Sequence, residues 1–101
     1  MCTMISMHTE VYGEAKGADG WFPVTQCNFG FDHPTHAQAE HSLLIDFVNP
    51  ALGPTARVGL EIDIASGRRL IAQLQAAIEA AEASGAPEHV VAEGALVGAA
   101  T

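Results

Sequence analysis

The chain has 101 residues, enough for one domain with one core, and its 12 acidic and 4 basic residues give a net charge of −8. Nucleic-acid backbones and anionic membrane surfaces attract Lys and Arg, so this charge balance argues against binding to either. Apolar residues make up 49% of the chain and charged residues 16%. That composition predicts a folded chain rather than a disordered one.

The sequence predicts neither a targeting segment nor a membrane span. The first eight residues contain no basic cluster and no long apolar run, so a signal peptide is not expected. No stretch approaches the ~18 consecutive apolar residues of a spanning helix. The expected compartment is therefore the cytoplasm, where Cys2 and Cys27 are expected to be free thiols.

Alternation of apolar and polar residues predicts four strands. The clearest covers residues 57–64, where four apolar residues at even positions alternate with polar residues or glycine. Residues 41–49 and 24–31 show the same period of two, and residues 3–11 show it more weakly. The polar, glycine-containing residues 10–20 predict a loop or hairpin end, and the prolines and glycine of residues 49–54 predict a second loop.

After residue 64 the apolar period changes from two to that of a helix. The residues that recur at helical spacing are Leu70, Leu74, Ala77, Ile78 and Ala81. Asp63 or Ser66 is the candidate N-cap, while Gly85 and Pro87 are expected to end the helix. A helix of roughly 20 residues is long enough to lie across a sheet.

These elements predict an α+β fold: a two-layer domain with a four-stranded antiparallel meander, followed by one C-terminal helix packed on one face. The domain is expected to cover residues 1–85, and residues 86–101 are expected to form a flexible or weakly ordered tail, with a short strand at 89–97 as the alternative. The second face of strand 41–49 carries Leu44 and Val48 and is only half polar. A second subunit is expected to cover it, which predicts a homodimer.

A histidine cluster is the main indication of chemistry. Three of the five histidines, His33, His36 and His41, lie within nine residues, between two predicted strands. If those strands pair antiparallel, His33 and His41 lie at the same end and on the same face. Imidazole is a common metal ligand, so the cluster predicts a divalent metal site. Zinc is the first guess, and iron, nickel and copper remain open.

The neighbours of the histidines have candidate supporting roles. Asp32 and Glu40 are expected to orient ring N–H groups or to add an oxygen ligand. Cys2 is the candidate fourth metal ligand, and as the alternative it is a small apolar residue at a strand start. The opposing interpretation of the whole cluster is a set of loop histidines that bond to neighbouring carboxylates and backbone.

Lys16 and Trp21 define a second candidate site, since they are the only lysine and the only tryptophan. Two glycines between them permit a tight loop, in which the lysine could hold an anionic group and the indole could wall a pocket. These two residues predict binding of a small acidic or aromatic metabolite. The alternative, which we favour, is a hairpin loop with an aromatic plug and a solvated lysine.

Several short motifs together resemble a known family. They are Met-Cys-Thr at the start, Lys16-Gly-x-x-Gly-Trp-Phe, Phe31-Asp-His-Pro-x-His, Glu40-His-x-Leu-x-Ile-Asp-Phe and Ala56-Arg-Val. The set is similar to a family of small actinobacterial proteins of unknown function, over roughly residues 1–84. The resemblance implies a bacterial source and includes the histidine stretch, but it implies no activity. It does not include His8, which favours Cys2 over His8 as a fourth ligand.

Two functions follow from the sequence. The first is a metal-binding protein, or a metal-dependent enzyme that acts on a small acidic or aromatic metabolite, with catalytic residues unknown. The second is a non-catalytic dimeric interaction module in which the histidines are incidental.

Overall fold

The structure, a computed structural model, describes residues 5–36 and 40–85. Its elements are β1 (Ile5–Gly17), β2 (Gly20–Asp32), β3 (Ser42–Val48), a 3-10 turn (Pro50–Leu52), β4 (Arg57–Ile62) and α1 (Ile64–Ala83). The strands pair antiparallel in the order β1-β2-β3-β4. The predicted α+β class, with a four-stranded meander followed by one helix, is confirmed.

The first hairpin is longer than its sequence suggested: of the two alternatives for residues 10–20, the hairpin end is the one observed, and the loop is not. β1 runs on to Gly17 and β2 begins at Gly20, so the paired glycines close a two-residue turn. Gly20 has a φ of 114°, a conformation that strains any residue with a side chain. The pairing register shifts between Glu10 and Gly13, which is a β-bulge. A bulge breaks the period of two, and this explains why the segment did not show the pattern of a strand.

The core lies where this hairpin meets the ends of β3 and β4. Phe22 and Val24 of β2 are buried together with Ala56, which precedes β4. The apolar side chains packed around them are Val11, Ala15, Phe47 and Val58. The next buried residue along β2 is Cys27, an odd number of positions after Val24. The buried side chains of β2 therefore switch from one face of the strand to the other at the point opposite the β1 bulge.

Beyond the bulge the sheet has one apolar and one polar face, because directly paired residues share a face. We define the apolar face by Ile5, Met7, Phe29, Phe31, Leu43, Ile45, Leu60 and Ile62. We define the polar face by Ser6, His8, Asn28, Gly30, Leu44, Asp46, Gly59 and Glu61.

A buried asparagine organises the β3–β4 connection. Asn49 is 7% exposed, and its side-chain nitrogen donates to the Pro23 carbonyl over 2.8 Å. Its side-chain oxygen accepts from the amide of Ala51 over 3.1 Å, which caps the 3-10 turn. One residue thus ties this connection to β2.

The helix begins and ends as the sequence predicted. The Asp63 carboxylate accepts from the amide of Ser66 over 2.7 Å, so Asp63 provides the N-terminal cap. Gly85 follows the helix with a φ of 82°, the left-handed conformation common after a helix end. Within residues 5–36 and 40–85, no helix combines the length and the apolar character that crossing a bilayer requires.

The chain forms two compact units, Met1–Gly67 and Arg68–Thr101. Within α1, Gly67 is buried and every residue from Arg68 to Ala83 is exposed. The packing of α1 on one sheet face, and the extent of the domain over residues 1–85, stay predictions. The predicted tail, residues 86–101, lies outside the described residues.

Candidate functional site

The structure brings two of the predicted metal ligands together at one end of the sheet. Asp32 at the end of β2 pairs with Ser42 at the start of β3, so the residues that flank this pair, His33 and His41, are neighbours. Their ring centroids lie 4.4 Å apart with the planes tilted by 30°. The His41 ring also stacks on Phe31, with centroids 5.6 Å apart. Three rings therefore form a short column next to the apolar face.

Hydrogen bonds fix the orientation of His33. Its Nδ1 lies 2.9 Å from the carbonyl oxygen of Glu40. A carbonyl only accepts, so Nδ1 is the donor in this contact. The carboxylate of Asp32 accepts from the backbone amide of His33 over 2.7 Å. Glu40 therefore orients the ring through its backbone, and Asp32 binds the backbone.

His36 has a different environment. The amides of Thr35 and His36 donate to the two carboxylate oxygens of Glu61, over 2.9 and 2.7 Å. The His36 ring is 88% exposed, with Nδ1 3.9 Å from Glu61. Glu61 belongs to the polar face, so it ties this part of the loop to that face.

The described residues contain no group of three or more His, Cys, Asp or Glu side chains placed to hold a metal ion. Two imidazoles come together, the third candidate is held by Glu61, and Cys2 lies outside the described residues. The metal site therefore stays a prediction, with His33 and His41 as the pair on which it rests.

Lys16 and Trp21 lie at the opposite end of the sheet. They pair with each other beside the turn of the first hairpin, and Trp21 is 69% exposed. Trp21 is near the start of β2, whereas His33 follows its last residue. At ~3.3 Å per residue a straight strand would separate them by about 40 Å. A small metabolite cannot bridge that distance, so these residues do not complete a site with the histidines.

The polar face contains an open groove that sequence reasoning missed. Its volume is about 710 Å³, and its lining is Thr35, His36, Leu44, Asp46, Arg57, Gly59, Leu60 and Glu61. Arg57 bonds to Asp46 through two nitrogens, over 2.8 and 2.7 Å. A Cβ at Gly59 would lie 2.7 Å from the Asp46 carboxylate, so glycine leaves the space that this ion pair occupies. Strand alternation predicts that Leu44, Asp46, Arg57, Gly59 and Glu61 share one face. That Thr35 and His36 also line the groove depends on their contact with Glu61, which is distant in sequence.

Cys27 is a buried thiol, 2% exposed. Burial raises its pKa, and the neighbouring carboxylate of Asp46 raises it further. A raised pKa suppresses the thiolate, which is the nucleophilic form. Cys27 therefore serves the core and is not a reactive cysteine.

Comparison with known proteins places the chain in a family. The model of a family of unknown function, DUF6295, matches residues 1–87. The chain belongs to this family. No curated protein and no solved structure matches it. The resemblance to a family of unknown function that the motifs indicated is thus confirmed at that level.

Two features of this DUF6295 chain are therefore candidates for a functional role. One is the imidazole pair of His33 and His41. The other is apolar surface, present on the helix and on the sheet. Large apolar side chains are exposed at Ile5, Met7, Phe29 and Leu60 of the apolar face and at Leu70, Ile71, Leu74 and Ile78 of α1. Contiguous exposed apolar surface usually marks an interaction site.

Proposed function

We propose that this DUF6295 protein is a non-catalytic module that works by associating with a second copy of itself. The observation that supports this proposal is the exposed apolar stripe of α1. Leu70, Ile71, Leu74 and Ile78 lie on neighbouring helical positions and are 49%, 70%, 60% and 45% exposed. Burying one such side chain contributes about 1.5–3 kcal/mol, so leaving four in water is costly.

Sedimentation equilibrium of the tag-free chain tests this proposal. We expect a monomer–dimer equilibrium that Leu74→Asp shifts to the monomer. Gln73→Asp is the matched control, because it adds the same charge on the polar side of the same helix and should leave the dimer intact. A chain that stays monomeric up to ~1 mM would contradict the proposal.

A metal-binding function is the second candidate, supported by the 4.4 Å separation of the His33 and His41 rings. Two imidazoles supply half of a tetrahedral site, so a third donor such as His36 or Cys2 is required. Zinc is the first ion to test, followed by iron, nickel and copper, and an ion with an open coordination position would act there as a Lewis acid.

Titration calorimetry with zinc tests the second candidate. We expect one equivalent to bind, and binding to be lost in the His33→Ala, His41→Ala double variant. His8→Ala is the control, because His8 is also exposed but belongs to the polar face. Unaltered heat in the double variant, or none in the wild type, would count against a metal role.

We further propose an actinobacterial source and a cytoplasmic location. The single lysine and the many alanines support the first, because they are typical of coding sequences rich in G and C. The free thiol of Cys27 is compatible with the second. Cell fractionation with detection by mass spectrometry tests the location, and recovery outside the cytoplasmic fraction would contradict it.

A further inference from the structure

We infer that the second copy docks on α1 in the antiparallel direction, helix against helix, around a twofold axis near Gln75. This inference rests on the proposed self-association and specifies its partner surface. Ile71, Leu74, Ile78 and Ala81 follow one another at spacings of three, four and three residues. That is the heptad spacing of residues that form the seam between two paired helices.

The apolar residues of the seam fit an antiparallel partner. When two such helices run in opposite directions, Leu74 lies against Ile78 of the second copy, and Ile71 lies against Ala81 of the second copy. Each outer layer then combines a large with a small side chain. Ala77 flanks the axis, where a small residue lets the two backbones approach closely.

Charge complementarity selects the antiparallel direction. Arg68 and Glu82 flank the seam, at the same heptad position and 14 residues apart, symmetrically about Gln75. In an antiparallel pair each arginine faces Glu82 of the second copy, which gives two ion pairs. In a parallel pair Arg68 and Glu82 of the two copies lie 14 residues apart along the seam, so neither ion pair forms. Because each copy carries a net charge of −8, the placement of the few cations matters for association.

The area available on α1 indicates a modest affinity. From their exposed fractions, the four large apolar side chains contribute roughly 400 Å² per chain, about half of the ~800 Å² per partner that a stable interface buries. We expect a weak, concentration-dependent dimer. A weak dimer is the most favourable case for detecting charge effects, since small changes in affinity shift the measured mass.

Reciprocal charge exchange tests the inference on the full chain. Arg68→Glu alone and Glu82→Arg alone each turn two attractive pairs into repulsive ones, and we expect each to weaken dimerisation roughly 10-fold or more. The double variant Arg68→Glu, Glu82→Arg restores both pairs with the wild-type net charge, and its dissociation constant should return to within about threefold. Glu14→Arg is the control, because it makes the same charge change at an exposed position of β1, outside the helix.

The outcomes separate this inference from the proposed function. A dimer that forms in the wild type and is insensitive to both single exchanges overturns the antiparallel helix pair but leaves self-association standing. A dimer weakened by the single exchanges but not restored in the double variant also overturns it. A monomeric wild type removes both. Circular dichroism of each variant confirms that the helix is retained.

Discussion

Replacing Asn49 with alanine should be among the most damaging single changes to this fold. The substitution removes the cap on the amide of Ala51, which costs about 1 kcal/mol. It also removes the hydrogen bond to the Pro23 carbonyl, worth about 1 kcal/mol, and leaves that oxygen without this donor. Together we expect a loss of about 2–3 kcal/mol of unfolding free energy.

Urea denaturation followed by circular dichroism measures this loss. A change of that size lowers Tm by roughly 8–24 °C for a domain of this length. Thr55→Ala is the matched control, because Thr55 is an exposed residue of the same connection and should change stability by less than about 0.5 kcal/mol. A loss in Asn49→Ala no greater than in this control would refute the assigned role.

A second substitution separates the two bonds of Asn49. Asn49→Asp keeps the oxygen that caps Ala51 but loses the donor to Pro23, and it buries a carboxylate next to a carbonyl oxygen. We expect it to be destabilised at pH 7. Part of the stability should return below about pH 4, where the protonated acid can donate to that carbonyl again. Wild-type stability at pH 7 would show that the Pro23 bond contributes little.

Three further changes test other parts of the structure. Gly20→Ala should destabilise by about 1–2 kcal/mol because of the positive φ, while Gly13→Ala, with no atom within 4 Å of its added Cβ, should be nearly neutral by thermal melting. Glu61→Ala should speed hydrogen exchange at the amides of Thr35 and His36, whereas Glu61→Gln, which keeps an acceptor, should do so less. Because the pKa of Cys27 is raised in the folded state, the unfolded thiol ionises first, so stability should fall above about pH 8.5, and Cys27→Ala should remove that part of the slope. A pH slope that is unchanged in the alanine variant would contradict the assigned cause.

The second half of the chain could be predicted from its sequence because its signals are local. Strand alternation located β3 and β4, and the helix was bounded by its Asp63 cap and by Gly85. The strands of the first hairpin were predicted too short because the bulge between Glu10 and Gly13 interrupts the period of two. Irregular pairing of this kind is fixed by the partner strand and leaves no periodic trace in the sequence.

The candidate site could likewise be predicted only where its contacts follow from the pairing of neighbouring strands. Antiparallel pairing of the flanking strands predicts that His33 and His41 lie close together, and the structure confirms this. The contact of His36 with Glu61 joins residues 25 positions apart. Nothing in the spacing of the histidines indicates that a carboxylate on β4 binds the loop.

The bulge in β1 also bears on how the protein avoids aggregation. β1 lies at the edge of the sheet and is 13 residues long, so its outer side could template the addition of strands from other molecules. A bulge twists the strand and interrupts the regular spacing of its free backbone groups, which shortens the uninterrupted stretch open to an incoming strand. Restoring a regular strand by deleting one residue between Glu10 and Gly13 should therefore promote fibril growth from that edge.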